Sequence, residues 1–142
     1  HIVMPYNFEK ESIQIVSYAA FLAKKYDSTI HIVGSHEDDE WLKGKSFTNQ
    51  SIIRNLLDEH QIKYRIENLP KSNDFDKDIM AYAQGIQADM IAAAFFGDNL
   101  FQSMNPFIQT FIENDLHIPF LTVSTEEMGI STGSIANPLS RT

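Results

Sequence analysis

The sequence predicts an α/β domain in which strands and helices alternate from end to end around a parallel sheet. Two observations carry this. Short apolar runs recur at residues 2–6, 29–33, 90–94 and 120–123, with an alternating apolar and polar run at 63–68. The segments between them repeat their apolar residues at spacings of three and four, which paints one stripe along a helix. Five strands joined by four helical crossovers make a sheet covered on both faces, and right-handed crossovers leave few ways to wind it. The outcome is a doubly wound domain of flavodoxin or Rossmann type.

Each element follows in order. Ile2-Val3-Met4-Pro5-Tyr6 reads as a buried strand, and Asn7-Phe8-Glu9-Lys10 leads into a helix over about residues 11–26. Ile15, Ala19, Leu22 and Tyr26 form its stripe, widened by Val16, Ala20 and Ala23. Lys24 and Lys25 sit in its last turn, where the helix dipole favours cations, and Asp27-Ser28 stops it. Thr29-Ile30-His31-Ile32-Val33 is a β-branched strand ended by Gly34. The acidic stretch 36–40 reads as a loop, leading through Trp41 to a second helix at about 49–60. Residues 63–68 alternate as a half-exposed strand does, and Leu69-Pro70 breaks it. Ser72-Asn73-Asp74 offers an N-cap to a third helix with the stripe Phe75, Ile79, Ala83 and Ile86. Residues 90–94 and 120–123 are the last strands, with a helix at 106–114 between them. The domain closes at residue 123. Residues 124–142, rich in Ser, Thr and Gly without a period, read as a C-terminal tail.

Composition bounds the function. At 142 residues the chain is one domain with room for one core. With no cysteine, a disulfide framework, a thiolate metal site and a cysteine nucleophile are excluded, which fits a cytoplasmic protein. Nineteen acidic against eleven basic side chains give a net charge of −8, and no basic run exceeds Lys24-Lys25. Such a surface repels nucleic acid. No apolar run approaches the ~18–20 residues that span a bilayer, so no membrane segment is expected. The chain opens on His1, one residue before a strand, and reads as a piece of a longer protein.

The stretch from Asp89 to Val123 organises the functional reading. It holds a buried strand, a polar loop, a helix opened by Asn105-Pro106, and a last strand. In open α/β sheets ligands bind beyond the carboxyl ends of the strands, so this loop is where a phosphate cradle would lie. No Lys or Arg occurs between residues 89 and 123, and Asp98 adds a carboxylate.

Three stretches resemble the universal stress protein family: Ile2-Val3-Met4-Pro5-Tyr6-Asn7-Phe8 with the Ala-rich helix after it, Ile30-His31-Ile32-Val33, and Asp89-Met90-Ile91 through Ile118-Pro119-Phe120-Leu121-Thr122-Val123. The resemblance implies an adenine nucleotide alpha hydrolase-like sheet, mostly parallel, in the order 3-2-1-4-5. The chain looks like the second copy of a tandem stress protein. ATP-binding relatives carry Gly-x-x-Gly, nine residues, then Gly-Ser or Gly-Thr. Laid on this chain, the first glycine falls on Ala94 and the second on Gly97. The final pair falls near Asn105-Pro106 with one loop residue missing, or on Phe107-Ile108 without a gap. The aspartate that usually follows the first strand falls on Asn7. Only Gly97 survives, and Pro106 removes a backbone donor while suiting the first helical position.

Competing readings stand beside these. Gly97 alone reads as a turn residue, and Asn7 as a local Asx-turn, against roles at a nucleotide. Residues 36–40 are a solvated loop before they are a metal site. His31, His60 and His117 read as structural. Phe95, Phe96 and Phe101 are expected to plug the vacated pocket. Ser103 lacks a recognisable base, so no catalytic residue is assigned. The expectation is a non-catalytic stress-response module with a degenerate nucleotide loop and no cofactor, paired as a homodimer or with a second domain of its kind through the last strand. The alternative is an adenine-nucleotide sensor that binds ATP or AMP, with at most slow hydrolysis. It would use Asn7, the backbone at Val33 and Gly34, Ala94, Gly97, Asn105 and Pro106. An unrelated flavodoxin-like domain is the third reading.

Overall fold

In the computed structural model, which describes residues 1–96 and 106–125, each apolar run becomes a strand of one sheet. The strands are β1 (Ile2–Pro5), β2 (Thr29–Ser35), β3 (Lys63–Leu69), β4 (Met90–Phe96) and β5 (Phe120–Thr125). All neighbours pair in parallel, in the order β3-β2-β1-β4-β5. Four α-helices connect them: α1 (Val16–Tyr26), α2 (Glu40–Glu59), α3 (Phe75–Gly85) and α4 (Pro106–Ile112). The expected sheet and strand order are both present.

Alternation along the strands divides the core in two. Ile2 and Met4 of β1, with Ile30 and Ile32 of β2, point to the face covered by α1 and α2, where Ala19, Ala20, Ile53 and Leu57 meet them. Val3, Val33, Ile91 and Ala93 point the other way, onto Ile79 and Ala83 of α3 and Ile108 and Phe111 of α4. A fully buried Ile or Leu of this kind contributes about 1.5–3 kcal/mol relative to exposure. Asp76 and Thr110 hydrogen-bond between α3 and α4. Phe107, Phe111 and Phe120 continue as an aromatic chain into β5, with centroids 4.8 and 5.4 Å apart. Asn114 fastens the turn after α4, its amide donating to the Phe111 and Ile118 carbonyls while its oxygen accepts from the Ile118 N–H.

Two helices depart from the sequence pattern. The first begins as a 3-10 segment, Lys10–Ile15, and becomes α-helical only at Val16. It ends where Asp27 turns left-handed, at φ 54°, and donates its N–H to the Ala23 carbonyl. The second, expected over 49–60, starts at Glu40, so the stretch read as an acidic loop contains its cap. The Asp39 carboxylate accepts from the Trp41 and Leu42 N–H groups, both at 3.0 Å. The early turns escaped the pattern because they lie mostly on solvent: Trp41 is 67% exposed and Phe47 63%. Lys45 stacks over the Trp41 ring at 4.1 Å. Strands β4 and β5 each run two residues beyond the expected ends, pairing Phe95 with Ser124 and Phe96 with Thr125.

Candidate functional site

Strand β1 stands between β2 and β4, so the chain leaves it toward one edge and returns to the other. At this switch point the crossovers diverge and leave a crevice beyond the strand ends. A cavity of about 260 Å³ occupies it. Pro5, Tyr6 and Asn7 wall it from the end of β1, and Ala93 and Ala94 from β4. Their short side chains leave the room. Phe75, at the start of α3, and Phe107, near the start of α4, close one side with rings 5.8 Å apart and 20° from parallel. Glu9, Glu11 and Ser12 line the side opened by the 3-10 segment.

The loop after β1 is tied down by its own polar groups. Asn7 Oδ1 accepts from the Glu9 N–H at 2.8 Å, which is the local turn expected of it. Ser12 Oγ donates to the Glu9 carbonyl at 2.8 Å. Asn49, 5% exposed inside α2, donates its amide to the carbonyls of Asn7 and Glu9 at 2.8 and 2.9 Å. Sequence reasoning missed Asn49 because it read this residue as the start of a helix. A polar residue one turn ahead of the buried Ile53 was the available signal.

Tyr6 sets the character of the site. Its ring lies across the backbone of β2, so close that a Cβ on Gly34 would meet three of its atoms at 2.8 Å. Gln50 Nε2 donates to the Tyr6 hydroxyl at 2.9 Å and holds the ring there. Burial pushes the Tyr6 phenol above its ordinary value, and the Gln50 hydrogen bond opposes this. The Tyr6 N–H donates to the Val33 carbonyl at 3.1 Å, extending the ladder between β1 and β2.

The expected site residues therefore divide. Asn7 and Ala94 line the cavity together. Val33 and Gly34 are buried, Gly34 beneath the Tyr6 ring, and neither lines it. Pro106 opens α4, which brings Phe107 and Ile108 to the wall. Gly97, Asn105, Asp98, Phe101 and Ser103 lie outside the described residues, as do the side chains of Phe95 and Phe96 on which the plug reading rests. Among the described residues no group of three His, Asp or Glu side chains is placed to hold a metal. His36 pairs with Asp38 at 3.0 Å, and Asp39 is committed to its cap.

At the opposite end of the sheet His31, 4% exposed, lies between two ring partners. Its Nε2 is 2.9 Å from His1 Nδ1, and its Nδ1 is 3.0 Å from the Tyr82 hydroxyl. Burial, then the amino-terminal charge and Arg65, lower its pKa below 6.5.

The five-stranded parallel sheet in the order 3-2-1-4-5 is the fold of solved universal stress proteins. One from Archaeoglobus fulgidus matches with a TM-score of 0.72 at 13% identity, over 87% of this chain and 97% of that one. A structure of the universal stress protein from the same organism in complex with dAMP matches at 0.68 and 13%, over 87% and 96%. A universal stress protein in complex with cAMP matches at 0.67 and 11%, over 88% and 96%. The chain has the universal stress protein fold. No family model and no curated protein matches the sequence. Among the described residues no helix is long and apolar enough to cross a membrane.

Proposed function

We propose that the chain is a universal stress protein domain whose nucleotide site is degenerate and which acts, without catalysis, by pairing with another domain of the same fold. One observation carries the reading. The Tyr6 ring, itself part of the cavity wall, covers the backbone of the second strand at Gly34, and Gln50 pins the ring in place. The charge pattern supports it: Glu9 and Glu11 line the cavity, and no Lys or Arg occurs from residue 89 to 123 to meet a phosphate. The pairing surface we assign to β5, the outermost strand on its side, whose Phe-Leu-Thr-Val-Ser-Thr carries no charge. The partner is a second copy or a second such domain in a longer chain.

Calorimetric titration of the nucleotide-free protein with ATP and with AMP, each with Mg²⁺, tests the site. The expected result is no saturable heat at millimolar nucleotide. Micromolar dissociation would refute the degenerate reading. It would favour the second one, an adenine-nucleotide sensor, which draws its support from the dAMP and cAMP complexes of proteins with this fold.

A further inference from the structure

We infer that the carboxyl-terminal segment of this chain, residues 126–142, docks in a groove between the loop after β1 and the first turns of α2. The groove holds about 750 Å³, within the ~300–1,000 Å³ of ligand clefts. Phe8 lines it from the loop, and Trp41, Gly44 and Lys45 line it from α2. Phe8 is 36% exposed, and Trp41 remains 67% exposed although Lys45 lies over its ring. Large apolar side chains left in water around one hollow mark a surface that another chain covers.

Gly44 separates this groove from a chance hollow. It stands inside α2, where glycine is the poorest helix former short of proline. Packing does not ask for it, since a Cβ built there would meet no described atom within 4 Å. A residue with a side chain would fit and would favour the helix. What glycine supplies instead is access: the helix backbone lies bare on the groove, open to close approach by another chain.

Reach and composition assign residues 126–142 as that chain. Strand β5 is parallel to its neighbours and ends at Thr125, so the segment leaves from the end of the sheet at which Phe8 follows β1 and α2 follows β2. Three strand spacings separate β5 from β2, a lateral distance of roughly 14 Å. The 17 residues after Thr125 extend up to roughly 56 Å. From Met128 to Ser140 they include no charged side chain, in a chain whose residues are 21% charged, and they carry Ile130, Ile135 and Leu139. Such a segment has apolar groups to place against Phe8 and Trp41 and no charge to desolvate there.

Trp41 is the one tryptophan of the chain, so its fluorescence reports on the groove alone. The test measures acrylamide quenching of Trp41 in the whole chain and in a whole-chain variant carrying Ile130→Ser, Ile135→Ser and Leu139→Ser. Tethering supplies an effective concentration of about 1 mM, so a contact with a dissociation constant of ~0.1 mM is made about nine-tenths of the time. Quenching should then be at least about threefold weaker in the wild type than in the triple serine variant. It should not change on dilution. Gly44→Leu fills the groove floor, and in the otherwise native chain it should raise quenching toward the serine level. In the serine background it should raise nothing, because the segment is already released. Its melting temperature should not fall, since the position is open and leucine favours the helix.

Equal quenching in the wild type and the serine variant would overturn the inference. So would a Gly44→Leu variant whose quenching stays low, or rises equally in both backgrounds. A change on dilution would give the groove to a second copy and overturn the intrachain contact as well. None of these results touches the nucleotide titration, so the proposed function stands or falls separately.

Discussion

Replacing Gly34 by alanine tests the contact on which the functional reading depends. The added Cβ would lie 2.8 Å from Cε1, Cζ and the hydroxyl of Tyr6. Carbon atoms are comfortable at ~3.5–4.0 Å, so the ring must retreat by about 0.7 Å or more. Retreat is costly here, because Tyr6 is only 6% exposed and its hydroxyl is held by Gln50 at 2.9 Å. Overpacking of this kind costs about 1–3 kcal/mol, and breaking the Gln50 bond adds about 0.5–1.5 kcal/mol. With a urea m-value of ~2 kcal/mol/M, a 2 kcal/mol loss moves the midpoint down by about 1 M.

The decisive experiment is a double-mutant cycle with Tyr6→Val, which removes the ring that the new methyl group strikes. Gly34→Ala should then cost almost nothing, giving a coupling of about 1–3 kcal/mol between the two sites. Additivity to within ~0.5 kcal/mol would mean that the ring does not rest on Gly34. The carrying observation for the degenerate site would then fall with it.

Two further outcomes follow from other parts of the chain. Asp39→Ala removes the acceptor for two N–H groups at the start of α2 and should cost about 1 kcal/mol. A differential scan should show a fall in Tm of roughly 2–4 °C; an unchanged Tm would mean that α2 does not depend on its cap. His31 predicts a pH dependence. Its folded pKa lies below 6.5, so the folded chain takes up this proton less readily than the unfolded one. The stability involved is fully present above about pH 6.5 and is lost as the pH falls through the lowered value. Urea midpoints should therefore drop between about pH 7.5 and pH 5.5, and His31→Gln should flatten that drop. An equal slope in the variant would assign it to other groups.

Legibility in the sequence tracked burial. Strands β1, β2, β4 and β5 are near-continuous apolar runs because both faces of a parallel sheet are covered, and such runs stand out. The third helix was equally plain, since Ile79 and Ala83 repeat at four and both are buried. The start of α2 was hidden because its signal, Asp39, sits among other acids and the turns it opens bury little. The place of the crevice was legible, and its lining was not. The switch point follows from strand order, and Asn7 and Ala94 do line it. That Tyr6 would lie on Gly34 depends on the register of two strands, Pro5 beside Val33, which no local pattern encodes. The role of Asn49 was hidden for a related reason, since its partners are carbonyls on a distant loop.

The two rims of the sheet differ in a way that limits how far an assembly can grow. The outer strand on one side, β3, carries Lys63, Arg65 and Glu67, all exposed, whereas β5 on the other side is uncharged. Charged side chains along an edge discourage the approach of another strand. If copies join through β5, each has one adhesive rim and one that repels. Two copies consume both adhesive rims, and the ten-strand sheet they form is closed to further addition. A chain with two uncharged rims could lengthen into a ribbon; joined through β5, this one would stop at a pair.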